Sequence, residues 1–96
     1  MSPNNKKKLN KLRKSLDKLD NSFIKLIKVR TNLVKQVLSL KKTKSQIVDK
    51  KRIDFILNQI KKKSIKNKID PKITNRIWKN MIYAYINYER RNFKKK

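Results

Sequence analysis

The chain has 96 residues, of which 30 are Lys or Arg and 6 are Asp or Glu, giving a formal net charge of +24. Because Gly, Cys and His are absent and Pro numbers only 2, the composition excludes glycine-rich phosphate loops, thiolate nucleophiles, imidazole bases and the usual zinc sites. It favours one all-α domain over residues 1–96, without cofactor or metal. No apolar run reaches membrane-spanning length and no signal region follows the basic start, so we expect a cytoplasmic protein with no membrane partner.

The first predicted helix covers about residues 8–42. One face carries an apolar seam, with steps of three and four between its members, as in a packed helix. The seam consists of Leu9, Leu12, Leu16, Leu19, Phe23, Leu26, Leu33, Val37 and Leu40. A helix of roughly 35 residues is about 52 Å long, whereas a compact chain of this size is only about 32 Å across. We therefore expect a homodimer, in which a second copy covers the rest of the seam.

Arg30 interrupts this apolar seam. A guanidinium keeps its charge, and its burial without an anion costs several kcal/mol or more. The anion is either an external ligand or a carboxylate of the chain, such as Asp49 or Asp54. Lys41 lies about 20° from Arg30 around the helix, so the two can line one pocket, whereas Arg13 lies about 26 Å before Arg30 along the axis. Taken singly, Arg13 and Lys41 are ordinary surface residues; if Arg13 is functional, it serves the site of a partner subunit.

Two further helices are predicted after a loop of about residues 42–48. Asp49 is suited to cap the second helix, about residues 49–67, and Asp70 with Pro71 predicts the start of the third, about residues 71–93. The apolar face of the second helix carries Ile53, Ile56, Leu57 and Ile60. The inward face of the third carries Ile73, Ile77, Trp78, Met81, Ile82, Tyr85 and Ile86, and one further turn reaches Glu89, the only glutamate in the chain.

These residues, in this order, resemble the all-helical class of chorismate mutases (type II), whose subunits are three helices with the long first helix intertwined across a homodimer. The resemblance covers Leu9 to Phe93. It is carried by Leu12-Arg13, Leu19-Asp20, Arg30 with Val37 and Lys41, Asp49 with Arg52, Ile69-Asp70-Pro71, and Ile82 through Glu89. The resemblance implies conversion of chorismate, a small dianion, to prephenate in aromatic amino acid biosynthesis.

The resemblance also implies roles for the charged residues. Arg30 and the partner subunit's Arg13 would hold the two substrate carboxylates, and Lys41 and Glu89 would meet the ether oxygen. The reaction is an intramolecular pericyclic shift, so the enzyme needs only to position the substrate and stabilise developing charge. Glu89 donates a hydrogen bond only when it is protonated. Burial favours its neutral form and Lys41 its charged form, and the sequence leaves both open.

Two positions depart from the mutase pattern. Asp49 and Arg52 would lie over the ring hydroxyl, but Ile53 follows where mutases usually have Glu, and Tyr85 stands where a small hydroxyl residue is common. Both resemble the isochorismate-pyruvate lyases, relatives on the same fold. Glu89 is closer to the mutase pattern, so we favour the mutase and keep the lyase as an alternative.

Two alternatives from other classes remain. A basic helical nucleic-acid-binding protein would explain the charge of +24, but no recognition motif supports it, so we expect only non-specific, salt-sensitive binding. A helical dimerisation module without a ligand is the other alternative. It predicts that Arg30→Leu stabilises the fold, because apolar packing would replace a buried cation.

Overall fold

The computed structural model describes residues 1–95, which form three α-helices and a short 3-10 turn and, within this range, no β-strand. Helix α1 is Pro3–Leu40, the 3-10 turn is Lys44–Gln46, α2 is Lys50–Lys66 and α3 is Pro71–Asn92. The predicted all-α class with three helices is confirmed. No helix within residues 1–95 has the length and hydropathy needed to cross a bilayer.

Helix α1 begins at Pro3, earlier than the predicted start near residue 8. Ser2 stands before it, and the Ser2 hydroxyl oxygen accepts a hydrogen bond from the backbone N–H of Asn5 at 3.2 Å. The Ser2 carbonyl accepts another from the N–H of Lys6 at 2.9 Å. A serine cap followed by proline in the first helical position is a strong start signal, and it extends the helix through the basic N-terminal run.

The described chain divides into two compact units, residues 1–33 and the residues from Val34 onward. The first unit consists almost entirely of the N-terminal part of α1. None of the residues of α1, all of which are described, is buried. Most of the apolar seam is at least half exposed, including Leu12, Leu16, Leu19, Phe23, Leu26 and Leu33. The single chain therefore leaves an apolar face of α1 in contact with water.

The second unit has a small hydrophobic core. Ile47, Ile82 and Ile86 are buried, and half-buried apolar side chains pack against them, namely Leu38, Ile53, Ile56, Leu57 and Phe93. Burial of each Ile side chain stabilises the folded state by about 1.5–3 kcal/mol relative to an exposed side chain. Helices α2 and α3 also share a polar contact, because the buried hydroxyl of Ser64 lies 2.6 Å from that of Thr74. The predicted apolar face of α2 packs against this core through Ile53, Ile56 and Leu57.

The connection from α2 to α3 is tight. Lys68 has a φ of 56°, in the left-handed region that usually favours glycine, which this chain lacks. Asp70 then caps α3, and its carboxylate accepts a hydrogen bond from the N–H of Lys72 at 2.9 Å. Pro71 occupies the start of α3, so the predicted cap and start are both confirmed.

The inward face of α3 is shorter than predicted. Ile82, Ile86 and Glu89 are buried, but Ile73 and Ile77 are 56% and 53% exposed. In the second unit, the first two turns of α3 lie beyond the small core, so these two isoleucines have little to pack against. The two side chains are thus exposed near the start of α3. The predicted single domain over residues 1–96 stays a prediction, and its last residue lies outside the described range.

Candidate active site

A short turn positions Lys41 directly after α1. The N–H of Lys41 still donates to the carbonyl of Leu38, at 3.1 Å. The next two amides, of Lys42 and Thr43, donate to a single acceptor, the side-chain oxygen Oε1 of Gln46, at 2.6 and 3.1 Å. The Gln46 side chain therefore closes the turn that follows α1.

Lys41 and Glu89 form an ion pair. The ammonium Nζ of Lys41 lies 2.6 Å from Oε2 of Glu89, and it makes a longer contact of 3.5 Å with the carbonyl of Ile47. The side chains of Lys41 and Glu89 are only 17% and 9% exposed. Opposite charges in a partly dehydrated site attract each other more strongly than they would in water. The two residues predicted to meet one substrate oxygen are thus brought together.

Asp49 and Arg52 stand at the start of α2. Asp49 is its N-cap, as predicted, and its Oδ1 accepts a hydrogen bond from the backbone N–H of Arg52 at 3.1 Å. The guanidinium carbon of Arg52 lies 5.4 Å from the centre of the Phe55 ring, within cation–π distance. Asp49 and Arg52 are both exposed, so either can reach a ligand in solvent. The role of each toward a ring hydroxyl stays a prediction.

Ile53 and Tyr85 have different surroundings. Ile53 is half-buried against the core cluster of Ile47, Ile82 and Ile86, so its side chain has a packing role whatever its relation to a ligand. Tyr85 is half-buried on α3, one turn before Glu89 and on the same helix face.

Arg13 and Arg30 belong to the first unit. Arg30 is half-buried on α1, whereas Arg13 is exposed. The half-buried position of Arg30 agrees with its place on the apolar seam. The predicted ligand contacts of both arginines stay predictions.

Sequence reasoning missed Gln46 and Ile47. Ile47 is 4% exposed, and its carbonyl lies 3.5 Å from Nζ of Lys41. The Gln46 side chain accepts two backbone hydrogen bonds in the turn. A signal was present: Thr43 and Gln46 stand three residues apart, the spacing of a capping box, and a helical turn does follow Thr43. The absence of apolar periodicity concealed it.

The arrangement is suited to electrostatic work rather than covalent chemistry. Lys41 brings a cation and Glu89 a carboxyl group to one partly buried point. An ammonium has three N–H donors, and two of those of Lys41 are directed to Glu89 and Ile47. A third donor is therefore available for an oxygen atom of a ligand. A protonated Glu89 would add an O–H donor beside it.

The chain matches the family described as chorismate mutase type II over residues 12–90. Comparison with curated proteins and with solved structures gave no significant match. The family match begins just before Arg13 and ends just after Glu89, so it contains every candidate residue described above. Since it covers most of the 96 residues, the chain belongs to the chorismate mutase type II family.

Proposed function

We propose that the protein is a chorismate mutase that converts chorismate to prephenate, as a cytoplasmic enzyme of aromatic amino acid biosynthesis. One observation carries the proposal beyond family membership. The buried Glu89 carboxylate and the Lys41 ammonium meet at 2.6 Å, at the two positions that the family resemblance assigns to the ether oxygen of the substrate. A cation and a carboxyl group held together there are the groups that this chemistry needs.

The reaction is balanced within the substrate. The ether C–O bond breaks as a new C–C bond forms, and the protein takes up no electron, proton or leaving group. Its task is to hold the dianion in the reactive conformer and to stabilise negative charge that develops on the ether oxygen. The third N–H of Lys41 would donate to that oxygen. Glu89, once protonated, would donate to it from a position beside Lys41.

The two carboxylates of the substrate need cations of their own. We assign one to Arg30 and the other to the partner subunit's Arg13, because a guanidinium can hold a carboxylate through two parallel hydrogen bonds. This assignment requires a homodimer. The apolar seam supports it, since Leu16, Leu19 and Phe23 are each more than half exposed in the single chain. A continuous apolar face of this kind on a long helix is typical of a protein interface.

A second candidate function is isochorismate-pyruvate lyase activity. The observation in its favour is the position of Ile53, which packs against the core cluster where mutases usually present a glutamate to the ring hydroxyl. Without that carboxylate, the protein has one contact fewer with which to recognise the hydroxyl of chorismate. Asp49, which is exposed at the start of α2, can supply a replacement contact.

Turnover of both substrates by the purified protein tests the proposal. Prephenate formed from chorismate supports the mutase, whereas pyruvate released from isochorismate supports the lyase. Arg30→Ala is the site control, and Arg76→Ala is its match, because Arg76 is an exposed arginine of α3. Loss of turnover in Arg30→Ala but not in Arg76→Ala would support the assignment of Arg30. No turnover of either substrate would contradict both enzymatic functions.

A further inference from the structure

We propose that Gln46 is a positioning residue for Lys41. Its side-chain amide oxygen fixes the turn after α1. This turn then places the Ile47 carbonyl beside the Lys41 ammonium. The structural part of this inference is independent of the activity. Its effect on catalysis rests on the proposed mutase function.

The first step is the bond pattern of the turn. Oε1 of Gln46 accepts from the N–H of Lys42 at 2.6 Å and from the N–H of Thr43 at 3.1 Å. A carbonyl oxygen has two lone pairs, so one side chain can satisfy both amides. These two amides directly follow the end of α1. The backbone N–H of Gln46 also donates to the carbonyl of Thr43 at 3.2 Å, which keeps Gln46 close to them. The Gln46 side chain thus joins the end of the turn to its beginning.

The second step links the turn to the ammonium. Ile47 follows Gln46 and is 4% exposed, so its side chain is anchored in the core cluster. Its carbonyl faces Nζ of Lys41 at 3.5 Å, and Oε2 of Glu89 faces the same atom at 2.6 Å. Glu89 comes from α3 and Ile47 from the turn, so two segments of the chain contact the same ammonium. Two such contacts restrict the rotation of a flexible lysine side chain, and they thereby restrict the direction of its remaining donor.

The third step separates positioning from stability. The Gln46 residue is exposed, so it adds little to the hydrophobic core. Its contribution lies in the orientation of the turn that carries Ile47. Loss of its acceptor should therefore affect the chemical step, which depends on the direction of the Lys41 donor, more than it affects substrate binding.

The test compares two substitutions at Gln46 with one elsewhere. Gln46→Met keeps the length of the side chain and removes the amide acceptor, whereas Gln46→Glu keeps two acceptor oxygens. Gln36→Met is the matched control, because it makes the same chemical change at an exposed residue of α1. The first readout is the hydrogen-exchange rate of the Lys42 and Thr43 backbone amides, measured by NMR. The second is the NMR signal of the Lys41 ammonium, which is assigned by its loss in Lys41→Met. The third is kcat and KM for chorismate.

We expect Gln46→Met to raise both amide exchange rates and to broaden the ammonium signal. We expect kcat to fall by about tenfold, less than for complete removal of a charge-stabilising donor, with KM changed by less than about twofold. Gln46→Glu and Gln36→Met should behave like the native protein in all three readouts.

Three results would overturn the inference. Unchanged amide exchange in Gln46→Met would show that the two bonds do not hold the turn. Faster exchange with an unchanged ammonium signal and unchanged kcat would leave Gln46 with a local structural role only. Equal effects of Gln46→Met and Gln36→Met would point to a general loss of stability. If the native protein turns over no chorismate, the proposed function fails, and the amide and ammonium signals alone decide whether Gln46 positions Lys41.

Discussion

Nζ of Lys41 lies 2.6 Å from Oε2 of Glu89, so that the residue directly after α1 is joined to a buried carboxylate near the end of α3. The two groups that we assign to the ether oxygen are paired with each other. Removal of either leaves the other in a partly dehydrated site without its partner, which is costly for a charged group. We therefore expect substitution of either residue to have a large effect on the candidate site.

Lys41→Met should lower kcat for chorismate by about 10²–10³-fold, the usual effect of removing one preorganised charge-stabilising donor. Lys42→Met is the matched control, because Lys42 is the next residue, is exposed and carries the same charge. Steady-state kinetics of both variants, with circular dichroism to confirm folding, makes the comparison. Similar losses in the two variants would mean that net charge, rather than the position of Lys41, governs activity.

Glu89→Gln should flatten the dependence of activity on pH. A carboxyl group at this position donates a hydrogen bond to the ether oxygen only when it carries a proton, so activity that needs this donor should be lower at higher pH. An amide donates at every pH. The measurement is kcat/KM across the pH range in which both variants remain folded, with Asp54→Asn, an exposed site on α2, as the control. An unchanged profile in Glu89→Gln would remove Glu89 from this role.

Arg30→Ala should raise KM for chorismate by roughly tenfold or more, since hydrogen bonds between charged groups contribute about 1.5–3 kcal/mol each. Arg30→Leu adds a test of the dimerisation-module alternative. If that variant is more stable in urea and the native protein has no activity, Arg30 is only a half-buried cation on a packing face. A clear loss of stability in Arg30→Leu would count against the module.

Phe23→Glu should dissociate the proposed homodimer into monomers, because it places a charge on the apolar seam where the side chain is 53% exposed in the single chain. Asn21→Glu is the matched control, since it adds the same charge to a neighbouring turn of α1 away from the seam. Sedimentation equilibrium of the native chain and both variants gives the association state. A native chain that is monomeric at all concentrations would contradict the assignment of the partner subunit's Arg13.

Lys68→Gly should stabilise the protein by about 1 kcal/mol, because Lys68 adopts a φ of 56°, where a Cβ atom is unfavourable and glycine has none. Lys68→Ala separates this effect from the removed charge, since alanine keeps the Cβ. Urea unfolding followed by circular dichroism measures the difference. Equal stabilities of the two variants would assign the effect to charge.

The helices were predictable where local signals and periodicity agree. Asp70 followed by Pro71 marked the start of α3 correctly, since a side-chain cap and a fixed φ act within a few residues. The start of α1 was misplaced because the prediction followed the apolar seam, whereas Ser2 and Pro3 begin the helix before the seam does. Ile73 and Ile77 follow the helical period but are exposed, because periodicity identifies an apolar face and does not reveal what covers it.

The site was predictable in part. Lys41 and Glu89 could be paired only through the family resemblance, since they are far apart in the chain and no spacing rule connects them. Their contact is a property of how the turn after α1 meets α3. The role of Gln46 depends on a side-chain bond to two backbone amides, which leaves only a short Thr-x-x-Gln signal in the sequence.

The exposed face of α1 has a consequence for how the protein forms. No residue of α1 is buried, and in proteins most of the stability of a helix comes from tertiary packing rather than from propensity. We expect the last stage of folding to be a bimolecular encounter whose rate rises with concentration. If activity needs the proposed homodimer, it should depend on the concentration of the chain, and dilution should lower it by dissociating the dimer.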